Sequence, residues 1–131
     1  PCGWSFRSIL HTRAGKIWIA YADAGLDLLD PNKGTFKHFY KNKDDVNNYL
    51  SNYFWSLFED NEGNLWAGHS DNGFNILNQQ TKKFESFQFP DAATGEVYCI
   101  HIGANGLAYL GTNNGLWTFD YKTRKFIKHY T

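Results

Sequence analysis

The sequence contains no methionine, only two cysteines (Cys2 and Cys99) and three prolines in 131 residues. Two thiols cannot build a disulfide scaffold or a four-cysteine zinc site, and they leave the redox compartment open. Charge of either sign is also lacking in excess: 13 basic residues face 13 acidic ones. A protein that coats nucleic acid carries a basic stripe, so no nucleic-acid partner is expected. The longest uninterrupted apolar run covers residues 17–22, far short of a membrane span. No basic segment leads into an apolar stretch at the amino terminus, so no signal peptide is expected within the chain. A start at Pro1 with no methionine anywhere reads as a processed chain or an excerpt from a longer one. Disorder is excluded by a hydrophobic content of 42%, and the length suits one domain, residues 1–131.

Aromatic residues are abundant, at 18% of the chain, and thirteen Asn and twelve Gly accompany them. Aromatics favour strands, and Asn with Gly favours tight turns. The chain also repeats itself. Gly15-Lys16-Ile17-Trp18 recurs as Gly63-Asn64-Leu65-Trp66 and, more loosely, as Gly106-Leu107-Ala108-Tyr109, at offsets of 48 and 43 residues. Gly25, Gly73 and Gly115 align downstream, followed by Asp30, Asn78 and Asp120, then by Phe36, Phe84 and Phe126. Upstream, Phe6, Phe54 and Val97 align, as do Ile9, Leu57 and Ile100.

Each unit divides into four short apolar runs separated by turn residues. In the second unit the runs are 54–58, 64–68, 74–77 and 83–87. Four strands in a unit this short imply an antiparallel meander, with Asn72-Gly73 and Asn114-Gly115 supplying the positive φ of a hairpin turn. Val46, Tyr49, Leu50, Tyr53, Phe54 and Leu57 fall at helical spacing. The repeat register overrides that reading from residue 54 onward and leaves at most a helical turn over 44–50. Apolar residues lie on both parities of the first and second strands, so both sheet faces are covered. The expected fold is all-β: a partial β-propeller of three four-stranded antiparallel blades, at 4–47, 48–92 and 93–131.

The second unit resembles the two-component regulator propeller repeat family in Phe54, Leu57, Glu59-Asp60, Gly63-Asn64-Leu65-Trp66, Gly68, Gly73 and Asn78. Leu50-Ser51-Asn52 is similar to that family's connection between blades. The first unit departs from the pattern at His11-Thr12 and Ala20, and the third at Tyr109. The resemblance implies a non-enzymatic sensor region of a hybrid histidine kinase in the periplasm of a gut-type Gram-negative bacterium, perceiving oligosaccharides. A structural or protein-interaction propeller, or a fragment of a propeller lyase or glycosidase, is the alternative.

In such a fold, recognition falls on the loops between strands two and three and between blades. The candidate ligand-binding residues are therefore Tyr21, Asp23, His69, Asp71, Asn72 and Asn113 in the first loop set. The blade connections 41–52 and 90–96 form the second, with Arg7, Trp55 and Tyr98 at equivalent entries to each blade. Aromatic rings beside polar groups suit a sugar, which offers an apolar C–H face and hydroxyls. Trp18, Trp66 and Tyr109 are expected in the core. Glu59, Asp60 and Glu62 could serve glycoside hydrolysis, but a solvated hairpin turn is the preferred reading. The five histidines do not pair at metal-ligand spacing, so neither a metal, a cofactor nor a catalytic set is expected. Three blades leave an apolar face open at each end. The expected partners are further blades, from other copies in a homo-oligomer or from the rest of a parent chain.

Overall fold

The computed structural model describes residues 5–40 and 53–131. The connection 41–52, with its candidate helical turn at 44–50, lies outside them. The described chain forms twelve strands and three antiparallel meanders. Blade one contains β1 (Phe6–His11), β2 (Ile17–Tyr21), β3 (Leu26–Asp30) and β4 (Thr35–Phe39). Blade two contains β5 (Phe54–Glu59), β6 (Leu65–His69), β7 (Gly73–Leu77) and β8 (Phe84–Gln88). Blade three contains β9 (Val97–Ile102), β10 (Leu107–Thr112), β11 (Gly115–Asp120) and β12 (Lys125–Tyr130). The all-β, three-bladed partial propeller expected from the repeats is the fold observed, and residues 54–59 are strand rather than helix.

The blades meet through their first strands: β5 neighbours β1 and β2, and β9 neighbours β5 and β6. Three local devices recur in each blade and explain why one sequence pattern gives one backbone. At what we term the lower end, the first hairpin turns on Gly15, Gly63 and Gly106, each at φ near +80° (83, 82 and 80), the left-handed region that glycine enters without penalty. The β3–β4 type hairpins begin with Asp30, Asn78 or Asp120. In each, the side-chain Oδ1 accepts the N–H groups two and three residues on, the Asx turn those residues favour. At the upper end, the N–H groups of Ala22, Ser70 and Asn113 donate to the carbonyls of Ser5, Tyr53 and Glu96, tying the second strand to the entry of the first.

The expected hairpin chemistry at Asn72-Gly73 and Asn114-Gly115 is realised differently in the two blades. Asn72 itself takes the positive φ in one, Gly115 in the other. Glycine at 25, 73 and 115 answers a second demand. A Cβ there would lie within 2.2 Å of the carbonyl oxygens of Phe39, Phe87 or Tyr130.

Two cores fill the seams between blades. Seam 1/2 holds Trp18, Ala20, Leu26, Phe54, Leu65, Ala67 and Leu77. Seam 2/3 is built chiefly of rings, among them Trp66, Phe74, Phe89, Trp117 and Phe119, with Phe87 and Phe126 against them. Every residue of β6 and β7 is buried, so the middle blade is covered on both faces. The flanking blades are not. Phe6 is 58% exposed where its counterparts Phe54 and Val97 are 1% and 0%. Ile9 and Phe36 on blade one, and Ile127 and Tyr130 on blade three, are exposed as well. Trp18 and Trp66 are core as expected, at 3% and 0% exposure. Tyr109 is only half-buried, because among the described residues no further blade packs against it.

Candidate functional site

Sequence reasoning placed Arg7, Trp55 and Tyr98 at equivalent entries to the blades. The structure brings them into one row. In β1, Phe6 pairs with Tyr21 and Ser8 with Ala20, so Arg7 is an extra residue. Trp55 is likewise extra between Phe54 and Ser56, and Tyr98 between Val97 and Cys99. Each is thus the bulged residue of the innermost strand. A bulge re-aims its side chain out of the alternating pattern. The Arg7 guanidinium carbon lies 4.1 Å from the Trp55 ring centroid, and Tyr98 meets Trp55 edge-on at 5.3 Å. The row therefore crosses both seams.

Its members are oriented by hydrogen bonds. Trp55 Nε1 donates to Ser70 Oγ at 2.6 Å, and the Tyr98 hydroxyl donates to Glu96. That bond holds the Tyr98 phenol above its ordinary pKa, with burial adding to the shift. Arg7 covers one face of the indole, so the stacking surface offered to a ligand is Tyr98, 45% exposed, and the outer face of the guanidinium.

The other candidates divide. Tyr21 is fully buried, and its hydroxyl donates to Asp27 Oδ2 at 2.9 Å. Asp27 in turn meets His38 Nδ1 at 2.7 Å. His69 is 3% exposed, and its Nδ1 accepts the Asp71 N–H. Asn113 Oδ1 accepts the N–H groups of Gly95 and Glu96 at 2.9 and 3.0 Å, clamping the connection into blade three. Asn72 holds the same connection through its backbone N–H to Gly95. Tyr21 and His69 are buried, whereas Asn72 is half-buried and Asn113 is exposed while it braces the loop. Asp23 and Asp71 are exposed on the turns after β2 and β6.

The acidic cluster lies on the expected hairpin turn, and Glu62 is exposed there, but Asp60 is not solvated. Asp60 is 4% exposed. Its carboxylate accepts the N–H groups of Glu62 and Asn64, the Asn64 amide and Trp66 Nε1, all between 2.9 and 3.1 Å. Both oxygens are occupied in fixing the hairpin and the indole. Among the described residues, no group of three His, Cys, Asp or Glu is placed to hold a metal.

A feature that the site reasoning missed lies at the opposite, lower end. A cleft of about 740 Å3 opens at seam 1/2, with Trp18, Leu28, Phe39 and Leu77 at its floor. Lys16, Lys37, Lys82, Arg13, Glu59 and Glu62 also line it. Arg13 bridges the blades, through Nε to Glu59 at 3.4 Å and Nη2 to the Asp60 carbonyl at 2.6 Å. The signal for the cleft was in the repeats: Gln79 stands where Tyr121 stands in blade three, and Lys37 where Glu85 stands in blade two.

The comparison with known proteins turns on the hairpin that Asp60 and Trp66 define. Residues 48–71 match the two component regulator propeller. Among solved structures, the chain is similar to the extracellular domain assigned to a hybrid two component system, BT3049 of B. thetaiotaomicron. That likeness has 29% identity and a TM-score of 0.74, over 93% of this chain and 16% of that one. The extracellular domain of BT4673 from the same organism is similar at 22% identity and a TM-score of 0.78, over 98% of this chain and 17% of that one. Virginiamycin B lyase from Staphylococcus aureus shares the fold at 15% identity and a TM-score of 0.75, over 94% of this chain and 40% of the lyase. The chain thus spans a small part of each of these structures. No curated protein matches it. The two component regulator propeller repeat seen in the sequence is thereby supported, and the extracellular setting of the neighbours agrees with an extracytoplasmic location.

Proposed function

We propose that the chain is a non-enzymatic sensor module of a periplasmic two-component receptor, and that its upper face contributes to perceiving an oligosaccharide. The observation that carries this reading is the Arg7–Trp55–Tyr98 row, in which three separate bulges aim three recognition side chains at one another. A phenol ring beside a guanidinium and carboxylates matches the C–H face and hydroxyls of a sugar. The likeness to an extracellular domain of a hybrid two component system supports the setting. A propeller lyase or glycosidase is disfavoured because Glu59 and Asp60, the carboxylates weighed for acid–base chemistry, are engaged in structure. Titration of the intact receptor with a panel of plant-derived oligosaccharides, by calorimetry, tests the reading. Tyr98→Ala and Trp55→Ala should each abolish measurable binding, and unchanged binding in both would discard it.

Further blades complete the ring on this reading, from the parent chain or from other copies. The exposed Phe6, Ile9, Phe36, Ile127 and Tyr130 of the flanking blades support it. The isolated chain should therefore associate at high concentration, and light scattering that reports a monomer would contradict the covering of these faces.

A further inference from the structure

We propose that the cleft at seam 1/2 is a second binding site, distinct from the upper face, for a small organic anion with a flat apolar body such as an aryl carboxylate. The reasoning is a comparison of two seams built on one backbone plan. At seam 2/3, blade three presents Phe119, Tyr121 and Arg124. Phe119 packs on Phe87 at 5.1 Å, and Tyr121 meets Trp66 edge-on at 6.0 Å. Arg124 closes the outside by reaching Glu85 at 3.2 Å. At seam 1/2 the corresponding residues of blade two are Leu77, Gln79 and Lys82, and the residue facing them in Glu85's place is Lys37.

Two things are therefore missing from these positions of seam 1/2: the ring of Tyr121 and the carboxylate of Glu85. Lys82 and Arg124 share even their backbone, at φ +59° in both, so the difference lies in the side chains. In place of the ring there is a cleft of about 740 Å3, within the range of roughly 300–1,000 Å3 that small-molecule sites occupy. In place of the ion pair there are two ammonium groups. Lys82 Nζ donates to Gln79 Oε1 at 2.7 Å, and Lys37 Nζ lies 5.1 Å from the Phe39 ring centroid. Neither meets a carboxylate among the described residues.

The floor adds a third mark. Trp66 spends its indole N–H on Asp60. At the matching place in blade one stands Thr12, whose hydroxyl accepts the Lys16 N–H instead. Trp18 lines the cleft without the carboxylate that its counterpart has. A ligand whose ring lies against Phe39 and the small exposed part of Trp18, and whose carboxylate reaches Lys37 and Lys82, supplies what Tyr121 and Glu85 supply next door. The carboxylates Glu59 and Glu62 also line the cleft, with Glu59 tied to Arg13. They repel an anion placed beside them and so favour its approach to the lysines.

The probe is 3-phenylpropionate, titrated into the 131-residue chain while the Trp18 indole N–H resonance is followed by NMR. The Trp66 resonance serves as the control for folding. Saturable movement of the Trp18 signal is expected, with 3-phenylpropanamide, the uncharged analogue, binding at least about tenfold more weakly. Lys37→Glu supplies the carboxylate from the protein and should weaken binding by about tenfold or more, as should Lys82→Gln to a lesser degree. Gln79→Tyr should block the site. A Trp18 signal that does not move, an amide that binds as well as the acid, or full affinity in both lysine variants would overturn the proposal.

Discussion

Seams 1/2 and 2/3 join blades of the same build, yet one mixes rings with aliphatic side chains and is partly open, and the other is filled with rings. Phe119 touches Trp66, Phe74, Phe87 and Phe126 at centroid separations of 5.0 to 6.1 Å. Its counterpart Leu77 has the cleft beside it. The repeated turns set the distance between blades, and the side chains at a few positions then decide whether the gap is core or site. Close packing inside a protein makes that choice a matter of single side chains.

The largest expected contrast follows directly. Phe119→Ala removes a fully buried ring from the centre of a cluster and should cost about 3–5 kcal/mol. Leu77→Ala, beside space that already exists, should fall at the lower end, about 2 kcal/mol. Urea denaturation of both variants checks this, and equal losses would remove the distinction between the seams. A smaller contrast concerns the lower hairpins. Asp60→Ala strands several N–H donors at once and should cost about 2–3 kcal/mol. Thr12→Ala, at the matching turn, gives up one part-buried bond and should cost under about 1 kcal/mol.

The smallest contrast is one of pH. In blade one the Asx turn starts with Asp30, which Lys16 holds at 2.5 Å, and that hydrogen bond keeps the Asp30 carboxyl below its ordinary pKa. Its folded pKa is lowered, so its contribution to stability is present above the ordinary aspartate value and is lost as pH falls through the lowered one. In blade two the same turn starts with Asn78, which does not titrate. Asp30→Asn should flatten the acid limb of the stability profile below about pH 4 by a small amount, because the pair is solvent-screened. An unchanged acid limb would show that the ion pair has no stabilising role.

Much of the architecture was legible in the sequence because it is written three times. Gly15, Gly63 and Gly106, or Asp30, Asn78 and Asp120, report the same turn independently, and the register of Phe54 with Phe6 overruled a helical spacing. The site was less legible. The sequence aligned Arg7, Trp55 and Tyr98 correctly, but strand alternation carries no sign of a bulge, so their meeting in a row could not be foreseen. Tyr21 and His69 sit in the expected loops but are buried, and Asn113 is exposed with its amide bonded to the 93–96 backbone; such neighbours, Asp27 among them, are not readable from the residue letters. Asp60 looked like a surface acid because its partners are mostly backbone N–H groups, which no residue letter announces. The cleft was visible only by asking what Gln79 and Lys37 fail to provide where Tyr121 and Glu85 stand.

One reciprocal exchange puts the filling of the seams to the test: thermal denaturation of Gln79→Tyr and of Tyr121→Gln. If blade spacing is common and only side chains differ, Gln79→Tyr should gain about 0.5–1.5 kcal/mol by setting a ring against Trp18, and Tyr121→Gln should lose a similar amount. Destabilisation by both substitutions would mean that the two seams are not built to one plan.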